Sequence, residues 1–371
     1  MMLRFLILAF SLILATTFPC GAQSTSETTV GGYGELHYNE PDGNSDGQLD
    51  FHRFVLYLGH KFSEEISFRS EIELEHTRIE AGEPEGGQLA IEQAFLDYRL
   101  HEHFVLRAGI LLPPVGIINS YHEPPTFNGV ERPNVDRVII PTTWREAGAG
   151  VYGTFSEGWG YQLYVVAGFD ASGFSAGSGL RGGRQSAFKS TPTNPSLTGR
   201  IDYSPLGGFQ IGASFFAGNS AAGRDSIGTA RVILWSGDLR FNHEAFSLRA
   251  VGALASIRDA SFINAKRGAK VADRIYGFYV EGAYNFLRHF CPESDHVLDA
   301  FLRYEKYDTQ ASTTGFARLI QYDRTDVVLG LTFKPTYDTA FKIDYSFFSN
   351  AMNSGFSRNT KQLNLGIGYY F

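Results

Sequence analysis

The chain has 371 residues, of which 19% are charged, 43% hydrophobic and 14% aromatic. Its formal charge is −7, or −8 without residues 1–22, because Arg4 is the only charged residue among them; this balance argues against nucleic acid as a partner. The 41 Gly, 31 Phe and 19 Tyr residues are typical of many strands joined by tight turns rather than of a helical protein.

The N-terminal segment has the features of a secretory signal peptide. A positive charge at Arg4 precedes an apolar core at residues 5–15, and small residues at positions 20–22 offer a cleavage site. No other stretch approaches the roughly 20 apolar residues that a membrane helix needs. The sequence therefore predicts a signal peptide at residues 1–22 and one exported domain at residues 23–371.

The clearest strand pattern lies near residues 66–78. One face is apolar, with Ile66, Phe68, Ile72 and Leu74, and the other is charged, with Arg69, Glu71, Glu73 and Glu75. Successive side chains of a strand point to opposite sides. A membrane barrel turns the apolar side toward lipid and the charged side toward the lumen.

Similar alternation recurs along the chain and runs up to Phe371. It predicts sixteen strands, near residues 30–38, 51–62, 66–78, 88–100, 104–112, 147–155, 159–169, 197–203, 208–218, 229–241, 246–255, 275–286, 296–305, 324–334, 339–348 and 361–371. The connections alternate between short and long, as in bacterial outer-membrane barrels. The predicted fold class is all-β: a transmembrane antiparallel up-and-down β-barrel of about 16 strands, wide enough for an aqueous channel.

The third long connection, residues 113–146, is the most informative loop. It contains six prolines, and its basic residues are Arg132, Arg137 and Arg145. Loops of this length are usually functional or disordered. The prolines stiffen this loop and its apolar run at residues 138–140 favours packing, so we predict that it folds into the barrel and narrows the pore. An ordered outer lid is the alternative.

Charged residues on the lumen face and in this loop are the candidate pore-lining and constriction residues. They are Arg69, Glu71, Glu73, Glu75, Arg99, Arg107, Arg132, Arg137 and Arg145. Which charges surround the narrowest point decides the selectivity of a channel. For each of them, an ion pair in the lumen wall without a role in transport is the alternative.

The first long connection resembles the start of a calcium-binding loop. Oxygen ligands at Asp42, Asn44 and Asp46 alternate along the chain, and Asp50 occupies the ninth position. The twelfth position is Arg53, where such loops need a bidentate Glu. The sequence thus allows a weakly bound calcium ion, with a polar turn as the alternative; no other cofactor is expected.

Three segments resemble the phosphate-selective porin O and P family of Gram-negative outer membranes. They are residues 51–59 (FHRFVLYLG), residues 70–76 (SEIELEH) and residues 111–116 (LLPPVG) with the following HEPP at 122–125. The resemblance covers residues 30–155 clearly. It implies a sixteen-stranded, trimeric, anion-admitting porin with a lysine-lined constriction. Loop 113–146 contains no Lys, which departs from that pattern.

Together these features predict an outer-membrane porin that forms a water-filled channel for passive diffusion of small hydrophilic solutes, with anions such as phosphate among the candidates. The protein is expected not to be an enzyme. Expected partners are solutes or ions, outer-membrane lipid and lipopolysaccharide, and two further copies in a homotrimer. The alternative is a plugged barrel that acts as an adhesin or as an enzyme at the barrel rim.

Overall fold

A computed structural model describes residues 26–43, 46–77, 87–223, 227–352 and 359–371. The predicted signal peptide at residues 1–22 lies outside the described residues, as does Asn44. None of the helices in the described ranges is long and apolar enough to cross a membrane.

Sixteen strands form one closed barrel, in which each strand pairs antiparallel with its neighbours in the chain and β1 pairs with β16. They are β1 Glu27–Pro41, β2 Gln48–Lys61, β3 Ile66–Glu75, β4 Gln88–His101, β5 Phe104–Leu111, β6 Glu146–Ser156, β7 Trp159–Ala167, β8 Pro195–Leu206, β9 Phe209–Gly218, β10 Val232–His243, β11 Phe246–Ile257, β12 Arg274–Asn285, β13 Val297–Ser312, β14 Asp323–Thr336, β15 Thr339–Asn350 and β16 Asn359–Tyr370. The predicted fold class and all sixteen predicted strands are confirmed.

Short helices occur only in the connections of the described ranges. They are α1 Asn134–Val138, α2 Ala260–Arg267 and α3 Leu287–Phe290, with single 3-10 turns at Pro124–Thr126, Ala171–Gly173, Arg181–Gly183 and Ile320–Tyr322. Most short connections, such as the two residues between β4 and β5, lie at one end of the barrel, here called the turn end. The long connections lie at the other, the loop end. The connection of β12 to β13 is longer than predicted because it contains α3.

The two faces of the strands differ as predicted. On β3, Ile66 and Ile72 are exposed on the outer wall, whereas Glu71 and Glu73 are buried inside. The same division recurs around the barrel, where exposed Leu, Ile, Phe and Val side chains cover the outside. A wall of this kind is stable against lipid rather than against water.

Among the register shifts of the described strands, two β-bulges in β2 and β4 affect side chains at the cavities described below. The register of β1 with β2 passes from Arg53 directly to Phe51, which leaves His52 without an opposite residue. The register of β3 with β4 passes from Gln93 directly to Ile91, which likewise leaves Glu92 without an opposite residue. A bulge changes the direction of the side chains that follow it. As a result, the consecutive residues His52 and Arg53 line the same interior cavity.

The main hydrophobic core lies inside the barrel near the loop end, where loops pack against one another. Trp144 is fully buried, and its ring stacks on Phe169 at 4.5 Å and contacts Phe216 at 4.8 Å between ring centroids. The same cluster includes Ile227 from the connection of β9 to β10 and Ile263 from α2. Several loops thus form one packed body within the barrel.

This packing predicts a large local effect for Trp144→Ala. Removal of a fully buried aromatic side chain costs about 3–5 kcal/mol, because the cavity is only partly refilled. We expect limited proteolysis to cut the loops around residues 142–184 in the variant and not in the parent protein. The barrel itself should keep its heat-dependent migration in SDS gels. Equal protease resistance of the two proteins would contradict the packing described here.

Candidate functional site

Residues 112–145, between β5 and β6, form a loop that lies inside the barrel; it is called loop 3 here. Its backbone is held by opposite walls. The Gly116 carbonyl accepts a hydrogen bond from Arg200 of β8 at 3.2 Å, and the Val130 amide donates to Asp344 of β15 at 2.7 Å. Loop 3 therefore spans the lumen, as the sequence predicted.

Cations on the barrel wall hold the carbonyl groups of loop 3. The Lys342 ammonium donates to the carbonyls of Phe127 and Gly129 at 2.9 and 2.7 Å, and Lys334 donates to the Pro125 carbonyl at 2.8 Å. Gly129 has a φ of 76°, a backbone conformation that disfavours other residues. Lys334 and Lys342 thus fix loop 3 from the barrel wall, and loop 3 itself contains no Lys.

Two polar cavities lie between loop 3 and the wall formed by the early strands. The larger, of about 580 Å³, is on the side of the turn end and is lined by Arg69, Arg107 and Glu123 among others. The smaller, of about 140 Å³, is on the side of the loop end and is lined by His52, Glu131 and others. Both cavities follow the same wall, one above the other along the barrel axis.

A layer of fully buried side chains separates the two cavities. It consists of Tyr33, Val55 and Glu92 on the wall and His122 on loop 3. The His122 Nε2 atom lies 3.0 Å from a Glu92 oxygen and 3.3 Å from a Glu71 oxygen. In this conformation the ion pairs of His122 close the path along the wall. We call His122, Glu71 and Glu92 the latch.

The charge of His122 follows from its surroundings. Burial by itself lowers the pKa of an imidazole, but the carboxylates of Glu92 and Glu71 outweigh burial and raise the pKa of His122 well above its usual value. The imidazolium is therefore the stable form in the latch at neutral pH. The Arg132 guanidinium also donates to the His122 carbonyl at 3.0 Å, which fixes this part of loop 3.

The predicted pore-lining residues occupy different places. Arg69, Glu71 and Arg107 line the larger cavity, and Glu75, Arg132 and Arg137 line the smaller one. Three others lie outside the cavity linings: Glu73 is buried beside Arg53, Arg145 is buried 3.6 Å from Glu92, and Arg99 is exposed near the turn end.

Positive charge gathers on the loop side of the smaller cavity. Arg132 and Arg137 of loop 3 are joined there by Arg181 from the connection of β7 to β8. Burial, then the charges of Arg184 and Arg137, lower the pKa of Arg181 to about 9. Within the described part of the chain, the Arg181 guanidinium donates to the backbone carbonyls of Thr142 at 2.5 Å and of Arg137 at 3.3 Å. These arginines are thus available to an anion in the cavity.

Sequence reasoning did not select Arg181, Arg53 or His37 as site residues. Arg53 and His37 face the lumen on strands that contain a bulge, and strict alternation would place His52 and Arg53 on opposite faces. Arg181 lies in a separate loop whose position depends on packing against loop 3. The run His52-Arg53, with two polar residues in succession in a strand, was the one available signal of the bulge.

The residues of the calcium hypothesis are divided in the structure. The Asp42 carboxylate accepts a hydrogen bond from the Tyr345 hydroxyl at 3.2 Å, whereas Asp50 lies in β2 and contacts His52 and His76. Asn44 is outside the described residues and Asp46 lies just before β2. Calcium binding by this loop stays a prediction.

The sixteen-stranded barrel with an internal third loop is the architecture of outer-membrane porins. Solved structures with this fold include OmpF of Salmonella typhi (14% identity, TM-score 0.61, 93% of this chain and 97% of that chain). An anion-selective porin of Comamonas acidovorans has 13% identity and a TM-score of 0.58 over 93% and 100% of the two chains. The channel DcaP of Acinetobacter baumannii has 12% identity and a TM-score of 0.58 over 95% of this chain and 100% of that chain.

Sequence comparison defines the family of the chain. The chain belongs to the same family as an uncharacterized protein of Aquifex aeolicus (strain VF5), with 39% identity over 330 residues, which are 85% of this chain and 74% of the relative. No family model matches the chain.

Proposed function

We propose that the protein is a porin of the Gram-negative outer membrane that conducts small hydrophilic solutes through a path narrowed by loop 3. The observation that carries this proposal is the pair of polar cavities between loop 3 and the wall of β1–β5. A barrel whose lumen served only as a solid support would have no need of charged cavities at both sides of one constriction. The loop end then faces outward and the turn end faces the periplasm.

Anions are the solutes that the smaller cavity favours. Arg132, Arg137 and Arg181 face it from the loops without carboxylate partners among the described residues, whereas Arg53 on the wall is neutralised by Glu35 at 2.8 Å. Guanidinium groups bind phosphate and carboxylate through bidentate hydrogen bonds. Membership of the phosphate-selective porin O and P family is supported by the sequence resemblance, with arginines at the position of the expected lysines.

A homotrimer in outer-membrane lipid and lipopolysaccharide is the proposed assembly. The apolar outer wall supports the lipid environment. Among proteins with this fold, OmpT of Vibrio cholerae is described in a trimer form (10% identity, TM-score 0.58). We further propose that the protein has no enzymatic activity.

The latch supports a second candidate, a plugged barrel that acts as an adhesin or rim enzyme, because the path is closed in this conformation. Single-channel recording of the purified mature protein in a planar bilayer distinguishes the two. We expect discrete steps, grouped in threes for a trimer, and a reversal potential under a salt gradient that favours anions. Persistent silence of correctly folded protein, judged by heat-dependent gel migration, would exclude the porin and favour the plugged barrel.

A further inference from the structure

A cluster of histidines lies on the wall at the loop end, apart from the latch. The Asp50 Oδ2 atom is 2.6 Å from Nδ1 of His76 and 3.2 Å from Nδ1 of His52. The ring of His37 stacks on that of His52 with 4.7 Å between centroids. Ligand atoms of Asp50, His52 and His76 all lie within 4.8 Å of one another.

We propose that Asp50, His52 and His76 form a binding site for a divalent transition-metal ion such as Zn²⁺. Imidazole nitrogen with carboxylate oxygen is a ligand set that suits zinc, copper and nickel. Two ligands about 2.0–2.1 Å from a tetrahedral zinc ion lie roughly 3.3 Å apart. The separation of 3.2 Å between His52 Nδ1 and Asp50 Oδ2 matches this value, whereas the 2.6 Å between His76 Nδ1 and Asp50 Oδ2 is a hydrogen-bond distance that must lengthen when the ion enters. A tetrahedral ion needs a fourth ligand, which water can supply.

The backbone brings the three ligands together before any ion binds. Asp50 and His52 are two residues apart on β2, and the bulge at His52 directs its ring into the lumen. His76 follows the end of β3, and its amide donates to the His52 carbonyl at 3.0 Å. A site whose ligands are fixed by a rigid sheet loses little entropy when the ion arrives.

Exposure distinguishes this cluster from the latch. The side chains of Asp50, His52 and His76 are 23%, 22% and 50% exposed, so an ion can reach them from the loop end with part of its hydration shell. In the latch, His122 and its partner carboxylates are at most 3% exposed and already form ion pairs. The neighbouring cation, Arg53, is neutralised by Glu35.

Metal binding by this site requires neutral imidazoles. The ion takes the Nδ1 lone pairs of His52 and His76, so the proton that each Nδ1 shares with Asp50 moves to Nε2 or is released. Metal binding at this site does not depend on whether the barrel conducts solutes.

Calorimetric titration of the folded, detergent-solubilised mature protein with Zn²⁺ at pH 7.5 tests the site. We expect saturable binding with one ion per chain, and a loss of at least about tenfold in affinity for the double variant His52→Ala/His76→Ala. The matched control is His101→Ala/His103→Ala, which removes two adjacent histidines whose rings are 5.4 Å apart at the turn end. The control should bind zinc like the parent protein.

Two results would overturn the proposal: no saturable binding by the parent protein, or equal affinity in the His52→Ala/His76→Ala variant. Heat-dependent gel migration of both variants excludes misfolding as the cause of a loss. A parallel titration with Ca²⁺ separates the zinc site from the calcium hypothesis. Calcium prefers oxygen ligands, so calcium binding should be reduced by Asp42→Asn and not by the histidine substitutions.

Discussion

His122→Ala should raise the single-channel conductance roughly twofold or more, because it removes the side chain that separates the two cavities. The imidazolium of His122 reaches the buried layer from loop 3, and its ion pairs with Glu92 and Glu71 hold the layer together. Without the ring, water can connect the cavities along the wall. Recordings of parent and variant in the same bilayer provide the measurement.

The matched control is His60→Ala, which removes a histidine from the outer wall near the turn end, where its ring contacts Phe62. Its conductance should equal that of the parent protein. If His122→Ala conducted no better than His60→Ala, the latch would not be the barrier and the closed path would lie elsewhere in the barrel.

The latch also predicts the sign of a pH effect. The pKa of His122 is raised in the closed state, and a water-exposed imidazole in the open state has a pKa of about 6.5. The ion pairs of His122 therefore stabilise the closed state fully below pH about 6.5. This stabilisation is lost as the pH rises toward the raised pKa of His122. Conductance of the parent protein should increase between acidic and alkaline buffers, and that of His122→Ala should change much less.

Charge reversal in the smaller cavity should reverse the ion preference. A unit charge roughly 8 Å from a permeating ion changes the energy of that ion by about 2 kcal/mol at an effective dielectric constant of about 20. Arg137→Glu, and more strongly Arg132→Glu/Arg137→Glu, should shift the reversal potential from anion-favouring toward cation-favouring. Arg137 is exposed in the lumen, so its replacement leaves the packing of loop 3 largely intact.

The control for this prediction is Arg288→Glu, the same change of charge at an exposed position in α3 at the turn end. Its selectivity should match the parent protein, since it is remote from the cavities. An unchanged reversal potential in Arg132→Glu/Arg137→Glu would mean that permeating ions do not pass the smaller cavity.

The barrel could be predicted from the sequence because its period of two is set by a simple physical division between lipid and lumen. Strand β3 shows this most clearly, with Ile66 and Ile72 outside and Glu71 and Glu73 inside. The position of loop 3 inside the barrel was also predictable, because a stiff, partly apolar segment gains stability by packing. The alternation of long and short connections followed from the same reasoning.

The site was less accessible to prediction for two reasons. The bulge at His52 places consecutive side chains in the lumen that strict alternation assigns to opposite faces, and a bulge has only a weak sequence signature. The meeting of Arg181 with Arg137 depends on tertiary packing between two loops that are 44 residues apart in the chain. Local patterns carry no information about such contacts.

The attachment of loop 3 to the last strands has a consequence for the order of assembly. The Val130 amide bonds to Asp344, which is 214 residues later in the chain, and Lys342 holds the carbonyls of Phe127 and Gly129. Contacts between such distant parts of a chain form slowly, because a long segment must first be closed. Loop 3 therefore reaches its final position only when the C-terminal strands have joined the barrel. The constriction is completed in the same step as the barrel wall.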